Sequence, residues 1–160
     1  MTAQELTQET VVETLRGSRF LMLTTVAADG SLLAHPMTPQ EVTGDADVWF
    51  VVSREGGQAD ALRAGGAVNL AVSEAGSWLS VAGTAEFVED RAKLDELWDD
   101  EVAAYFEGGK EDPAVALLLV RSESAQYWGV PGGKVAALAK IVRAKVTGTR
   151  PGGASGTTEL

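Results

Sequence analysis

The most informative part of this sequence is RFLMLTTVAADGSLLAHPMTPQEV, residues 19–42. An Asp-Gly pair, Asp29-Gly30, separates two β-rich runs, and such a pair is the strongest short-range signal of a β-hairpin. Both faces of the first run are apolar, so we expect this strand to be covered on both sides. Pro36 and Pro39 cannot donate hydrogen bonds to a neighbouring strand, which places the second run at a sheet edge or at a bulge.

Four further strands are predicted along the chain, at residues 48–53, 67–73, 77–88 and 114–120. The run at 77–88 alternates apolar and polar residues, with Leu79, Val81, Ala85 and Phe87 on one face. This period of two is typical of a half-buried antiparallel strand. With the hairpin, the sequence predicts about six strands.

The predicted helices are few. One starts from the capping-box spacing of Thr2 and Glu5 and ends at Gly17, and the others span residues 58–64, 90–106 and 135–145. The connections are mostly shorter than the dozen or more residues that a parallel crossover needs, so we expect a mainly antiparallel sheet. Apolar strands with peripheral helices predict a mainly β fold, a small closed β-barrel.

The chain is predicted to hold one domain, residues 1–147, followed by a tail. The last residues, GTRPGGASGTTEL at 148–160, are rich in glycine and poor in apolar side chains. Such a segment lacks the apolar surface that would offset the entropy of ordering it, so we expect it to be disordered.

Composition excludes several classes of function. The 160 residues carry a net charge of −10, no cysteine and one histidine, which excludes disulfides and thiolate chemistry and argues against any metal site. The negative charge argues against nucleic-acid partners. No apolar stretch approaches the roughly 20 residues of a membrane span, so we expect a soluble, cytoplasmic protein that does not bind a membrane.

The residues also restrict the chemistry. A serine nucleophile needs an adjacent base, and His35, the only imidazole, lies beside a proline in a predicted strand. No phosphate-binding loop or dinucleotide fingerprint follows a strand, so a bound cofactor would carry any chemistry. Tryptophans on or beside strands could cover a planar cofactor ring, although core or subunit packing is the simpler explanation for them.

Several segments occur in an order that resembles one family. They are LTTV-x-x-DG, HPM, VWFVVSR, VNLAVS, SVAGTAE and YWGVPGGKV. This order, over about residues 5–148, resembles the general stress protein branch of the pyridoxamine 5′-phosphate oxidase-like proteins. The resemblance implies a six-stranded antiparallel split β-barrel of the FMN-binding type. It also implies a homodimer that holds FMN in two equivalent clefts at its interface.

The resemblance implies a set of cofactor-binding residues and assigns no catalytic residue. Those expected beside the flavin ring and ribityl chain are His35, Pro36, Met37, Phe50, Val51, Val52 and Ser53. Those expected to face the phosphate are Arg54 and Gln58. Those expected to reach the cofactor from the other subunit are Trp78, Ser80 and Trp128.

Two of these positions depart from the family's usual residues. Relatives commonly carry Arg at the position of His35 and Lys at the position of Gln58, both cations on or near the phosphate. A charge-assisted hydrogen bond is typically worth about 1.5–3 kcal/mol. Two such losses would weaken FMN binding by several powers of ten unless other groups compensate. Candidates are Arg54, the N–H groups of the short helix that starts at Gln58, and Lys134 as a substitute cation.

Two functions therefore follow from the sequence. The first is a homodimeric FMN-binding flavoprotein of the general stress type, a candidate flavin-dependent oxidoreductase, with FAD as the alternative cofactor. The second is a non-catalytic module that binds a flavin or another phosphorylated ligand, with weak or lost FMN affinity. A true pyridoxamine 5′-phosphate oxidase is disfavoured because no second basic cluster surrounds Trp128. A deazaflavin reductase ranks last because its cofactor needs a broader basic groove.

Overall fold

The first helix that the structure describes is capped by a threonine side chain. The structure, a computed structural model, describes residues 6–74, 76–129 and 154–160. Helix α1 spans Gln8–Gly17, and the Thr7 side chain caps it by accepting a hydrogen bond from the Thr10 N–H at 3.2 Å. Thr7 supplies the oxygen that the free N–H groups of the first turn need. The predicted capping-box residues Thr2 and Glu5 lie outside the described residues.

The described residues form eight strands, and every pairing among them is antiparallel. The strands are β1 (Leu21–Val26), β2 (Leu32–Met37), β3 (Glu41–Val42), β4 (Val48–Ser53), β5 (Gly66–Glu74), β6 (Ser77–Val88), β7 (Val115–Gly129) and β8 (Ala154–Glu159). Their order is β2-β1-β5-β6-β7-β4-β3, and β8 pairs with β7. The predicted mainly antiparallel sheet is confirmed.

The predicted hairpin is also confirmed. Strands β1 and β2 pair from Leu21 with Met37 to Val26 with Leu32. Asp29 Oδ1 accepts the Ser31 N–H at 2.9 Å, and Gly30 takes a φ of +84°, which glycine adopts readily. Strand β2 ends the strand order, as its proline predicts, and the predicted second run is broken beyond Met37 into β2 and the short β3.

The last long strand extends well beyond its predicted end at residue 120. Strand β7 has 15 residues, and β6 pairs along most of its length with a bulge between Ala82 and Gly83. A side chain at Gly83 would bring its Cβ within 2.2 Å of the Arg121 carbonyl oxygen. The two strands therefore approach closely enough at the bulge that glycine is required there.

The expectation of disorder over 148–160 is wrong for residues 154–159, and residues 148–153 lie outside the described residues. Residues Ala154–Glu159 form β8, which pairs with β7 from Ser124 to Gly129. Strand β4 covers only Val115 to Val120 on that side of β7, so β8 satisfies backbone groups that would otherwise form an open edge. The predicted helix at residues 135–145 lies outside the described residues.

Three more helices flank the sheet: α2 (Gly57–Arg63), α3 (Arg91–Leu97) and α4 (Asp100–Ala103). The single helix predicted at 90–106 is therefore two helices. Trp98 is extended, and the Asp99 side chain caps α4 by accepting the Val102 N–H at 2.8 Å. Among the described residues, every helix is too short or too polar to cross a membrane.

One core cluster fills the interior. It includes Leu23 from β1, Phe50 from β4, Leu70 from β5 and Leu118 from β7, all fully buried. Strands β1 and β4 are separated by β5, β6 and β7 in the strand order. Because both nevertheless contribute to one core, the sheet curls around it as the predicted barrel requires.

Candidate functional site

A cavity of about 380 Å³ lies at the end of β4, between the β2–β3 connection and the helices α2 and α4. This volume is within the range of small-molecule sites, about 300–1,000 Å³. Its lining residues are Phe20, Pro36, Met37, Thr38, Gln40, Val51, Val52, Ser53, Gln58, Val102, Tyr105 and Phe106.

The cavity brings together half of the residues that the sequence resemblance implied for a cofactor. They are Pro36, Met37, Val51, Val52, Ser53 and Gln58. They come from β2, β4 and α2, which are separate along the chain and meet here because the sheet curls. Their meeting in one cavity makes this the candidate site.

Aromatic and aliphatic side chains form most of the cavity wall. Tyr105 is 67% exposed, although the sequence predicts it within the apolar stripe of a helix. Phe20 is also exposed, whereas Phe106 packs against Trp98 with the ring centroids 5.9 Å apart. Sequence reasoning missed Phe20 and Tyr105 as lining residues, because apolar residues in a helical or strand pattern were assigned to the core.

The polar part of the cavity contains an unsatisfied donor. The Gln58 side-chain Nε2 is buried and has no hydrogen-bond partner within the described residues. Gln58 is held there by α2, whose Ala59, Ala61 and Leu62 are buried against the sheet. A buried amide without a partner carries a desolvation cost, so this atom indicates a place for a ligand oxygen.

Ser53 and Gln40 add polar groups to the same lining. Ser53 Oγ accepts the Glu55 N–H at 3.1 Å, which leaves its own hydroxyl proton available for donation. Gln40 Nε2 donates to the Thr38 carbonyl at 3.3 Å. The donors that face the cavity are thus uncharged groups.

Arg54 lines a different cleft, although it directly follows Ser53. Its guanidinium Nη2 lies 2.5 Å from Glu89 Oε1, and its N–H donates to the Ala114 carbonyl at 2.7 Å. This second cleft, also about 380 Å³, is lined by acidic and basic residues that include Arg91 and Lys110. The structure therefore does not bring Arg54 and Gln58 together in one cavity.

Ion pairs hold the second cleft and α3 in place. Lys93 contacts Glu41 of β3 and lies 5.4 Å from the centroid of the Trp49 ring. The hydrogen bond to Glu41 raises the pKa of Lys93. Lys110 Nζ, 3.0 Å from Asp95 Oδ1, lowers the pKa of that carboxyl. The Lys93 pair links α3 to β3, and the Lys110 pair links α3 to the segment before β7.

Two other implied residues lie on the inner side of the barrel. Phe50 is fully buried in the core. His35 is the register partner of the buried Leu23 and faces the same side of the sheet as that residue. Neither His35 nor Phe50 is among the residues that line the cavity.

The remaining three implied residues, Trp78, Ser80 and Trp128, lie on the outer face of the sheet. Trp78 and Trp128 are direct register partners, and each is nearly half exposed. Ser80 Oγ accepts a hydrogen bond from Asn69 Nδ2 at 2.8 Å. None of the three lines the cavity within one chain.

A row of uncharged residues connects this outer face to the cavity. It runs across five neighbouring strands through Pro36, Met22, Ala71, Ser80 and Gln126. Pro36 also lines the cavity, and Met22 is 40% exposed. The expectation that both faces of β1 are covered is therefore not met within a single chain. We call the residues of this row, together with Trp78 and Trp128, the outer sheet face.

Comparisons with known proteins agree with this architecture. Residues 7–152 match the family described as pyridoxamine 5′-phosphate oxidase like. Protein bli-3 of Neurospora crassa is 29% identical over 146 residues, which cover 84% of this chain and 70% of that protein.

Solved structures share the fold. A general stress FMN/FAD binding protein from Xanthomonas citri is 35% identical, with a TM-score of 0.65 over 76% of this chain and 87% of the other. A candidate general stress protein 26 from Jannaschia sp. CCS1 is 28% identical, with a TM-score of 0.74 over 94% and 96% of the two chains. The chain belongs to the pyridoxamine 5′-phosphate oxidase-like family, in its general stress protein branch, and has the split-barrel fold.

Proposed function

We propose that this protein is a homodimeric flavoprotein of the general stress type and that the cavity beside β4 holds the flavin. The observation that carries this proposal is the buried, unpartnered Gln58 Nε2 in a cavity with aromatic and aliphatic walls. The description of the Xanthomonas citri relative as an FMN/FAD binding protein supports the same ligand class.

The lining residues fit the chemistry of a flavin. A planar ring system needs apolar and aromatic surface, which Met37, Val51 and Tyr105 provide. The ring carbonyls, the ribityl hydroxyls and a phosphate all offer acceptor oxygens, which Gln58 Nε2 and the Ser53 hydroxyl can satisfy as donors. The residues that are present therefore fit the group.

A bound flavin would supply electron transfer of one or two electrons. The contribution of this chain would be to bind and orient it: Gln58 holds an acceptor atom, and the aromatic residues at 105 and 106 shield it from water. No Asp, Glu, His, Lys or Arg side chain lines the cavity in the part of the chain that the structure describes. The proposal for an oxidoreductase therefore rests on the cofactor rather than on an acid or base in this lining.

The outer sheet face supports the homodimer. Its row of residues is uncharged, although the chain carries a net charge of −10. Exposed apolar surface without charge is typical of an interface core. Because Pro36 belongs to both the outer sheet face and the cavity, a second copy on this face would approach the cavity with residues such as Trp78.

A non-catalytic flavin-binding module is the second candidate. The ion pair between Arg54 and Glu89 favours it, because that pair engages the cation expected at the phosphate. A module of this kind would bind a flavin without an electron partner. The two candidates share the cavity and differ only in turnover.

A binding titration with one blocking variant tests the site. The purified protein is titrated with flavin and the quenching of flavin fluorescence is measured; we expect saturation at one flavin per chain. Ser53→Trp would fill the cavity mouth and abolish binding, whereas Glu55→Trp, at an exposed position outside the lining, would retain it. Equal binding by both variants would show that the flavin does not bind in this cavity.

A further inference from the structure

Among the described residues, the lining of the cavity is uncharged, although an FMN site would be expected to present a cation to the phosphate. We propose that it recognises a flavin through the ring and the hydroxylated side chain without a gain from the terminal phosphate, so that it binds riboflavin about as tightly as FMN. This inference rests on the proposed function and specifies the ligand class of that same site.

The lining itself provides no charge for a phosphate. All twelve residues around the cavity are uncharged, as far as the described chain extends. A phosphate monoester carries about −1.5 to −2 charges at pH 7. Moving such a group into a partly dry site without a cation is unfavourable, and the net charge of −10 adds a repulsive field at longer range.

Three arginines that are close to lining residues along the chain, Arg19 beside Phe20, Arg54 beside Ser53 and Arg63 on the helix of Gln58, are each engaged with a carboxylate. Arg54 is paired with Glu89 at 2.5 Å and Arg63 with Asp60 at 2.9 Å. Arg19, whose guanidinium lies 5.4 Å from the Phe20 ring centroid, is paired with Glu101 at 3.4 Å and is largely exposed. To bind the phosphate, each arginine would have to give up its carboxylate partner, so the net gain in binding free energy would be small.

Helix α2 also offers little to an anion. It has only seven residues, and Asp60, an acidic side chain, lies in its first turn. Arg63 donates to the Arg54 carbonyl through Nη2 and to Asp60 through Nη1, so both of these nitrogens are already engaged. The polar donors that remain in the described lining include the Gln58 amide and the Ser53 hydroxyl, and both are neutral.

A neutral amide does not distinguish between the two flavins. Gln58 Nε2 can donate to a hydroxyl, a carbonyl or a phosphate oxygen. A lysine at the same position would favour the phosphate, because hydrogen bonds between charged groups are about twice as strong as neutral ones. Gln58 is therefore the residue that sets the specificity.

The test compares the dissociation constants of riboflavin and FMN by fluorescence titration at low ionic strength. For the natural chain we expect values within about threefold of each other. Gln58→Lys should bind FMN about tenfold or more tightly than the natural chain does, the effect of roughly one added charge-assisted contact, and should change the affinity for riboflavin far less than the affinity for FMN. Glu55→Lys, which changes the net charge outside the lining, should change FMN affinity far less.

The outcomes separate the two proposals. If the natural chain binds FMN more than tenfold tighter than riboflavin, phosphate-independent recognition is wrong and the flavin site stands. If neither flavin binds, the proposed function falls and this inference with it. Should Gln58→Lys fail to fold, as circular dichroism would show, the comparison on the natural chain decides alone.

Discussion

Trp78 of β6 and Trp128 of β7 are direct register partners on the outer sheet face, with 47% and 45% of their surfaces exposed. Opposed side chains in an antiparallel ladder lie close enough to interact. Two large aromatic residues that share solvent exposure in one chain gain more from burial against a second surface than from contact with each other. This pair, with the uncharged row beside it, is the proposed subunit interface.

A charge at the centre of the outer sheet face should prevent dimer formation. Met22 lies in the row between Pro36 and Ala71, so Met22→Glu would place an unpaired carboxylate inside the interface, which is strongly unfavourable. We expect light scattering to give twice the mass of one chain for the natural protein and the mass of one chain for Met22→Glu.

The matched control for this test is Thr84→Glu. Thr84 is exposed on β6 but lies opposite Arg121, beyond the uncharged row. The Thr84→Glu variant should therefore remain a dimer. A monomer from the natural chain at micromolar concentration would remove the interface proposal.

Gly83 should not tolerate any side chain. Its added Cβ would meet the Arg121 carbonyl oxygen at 2.2 Å, and that atom belongs to the backbone of β7. We expect Gly83→Ala to lower the free energy of unfolding by about 1–3 kcal/mol, a fall of several degrees in Tm. At Gly44 an added Cβ meets nothing within 4 Å, so Gly44→Ala should change thermal stability little.

Lys93 should contribute stability that is lost at alkaline pH. The hydrogen bond to Glu41 raises the pKa of Lys93 in the folded chain. A group whose pKa is raised on folding stabilises the folded state fully at a pH below its unfolded-state pKa, about 10.4 for lysine. This stabilisation disappears as the pH rises through the folded-state pKa. Unfolding by denaturant at several pH values should show this loss for the natural chain.

Lys93→Met should be less stable than the natural chain near neutral pH, by about 1 kcal/mol from the lost ion pair and cation–π contact. In this variant, the decrease in stability at alkaline pH that is due to Lys93 should be absent. Lys110→Met, which removes the partner of Asp95 instead, should keep that decrease. A natural chain and a Lys93→Met variant with parallel pH profiles would contradict the assignment.

The cap of α4 should matter for ligand binding as well as for stability. Asp99 accepts the Val102 N–H at 2.8 Å, and Val102, Tyr105 and Phe106 line the cavity. Asp99→Ala should cost about 1 kcal/mol and weaken flavin binding, because the wall would no longer be held in one position. Asp100→Ala leaves the cap in place and should bind flavin as the natural chain does; equal affinities for both variants would show that the wall does not depend on the cap.

Local patterns in the sequence account for much of the fold. The hairpin around Asp29-Gly30 is a local structure, since the turn and the alternation of side chains lie within about twenty residues. The inward face of β5, with Val68, Leu70 and Val72, is likewise predicted by its period of two. The split between α3 and α4 was missed, because the cap at Asp99 interrupts a stripe of apolar residues whose spacing continues past it.

Pairings between distant segments could not be predicted in this way. The extension of β7 and the strand formed by residues 154–159 depend on each other, since each supplies hydrogen-bond partners for the other. The exposure of Tyr105 could not be predicted either. Its helical spacing predicts burial, but α4 ends at Ala103 and Tyr105 lines the cavity.

The order of the motifs was sufficient to identify the family, the antiparallel sheet and half of the cavity lining, because those features follow from short-range patterns and a shared fold. The partners of the charged and polar side chains, in contrast, could be read only from the folded structure. Arg54 follows Ser53 directly, yet its guanidinium pairs with Glu89, 35 positions away, while Gln58 is left with an unpartnered donor in the cavity. Arg54 lies just after the end of β4, and the carboxylate that it meets there is brought near by the way the sheet curls.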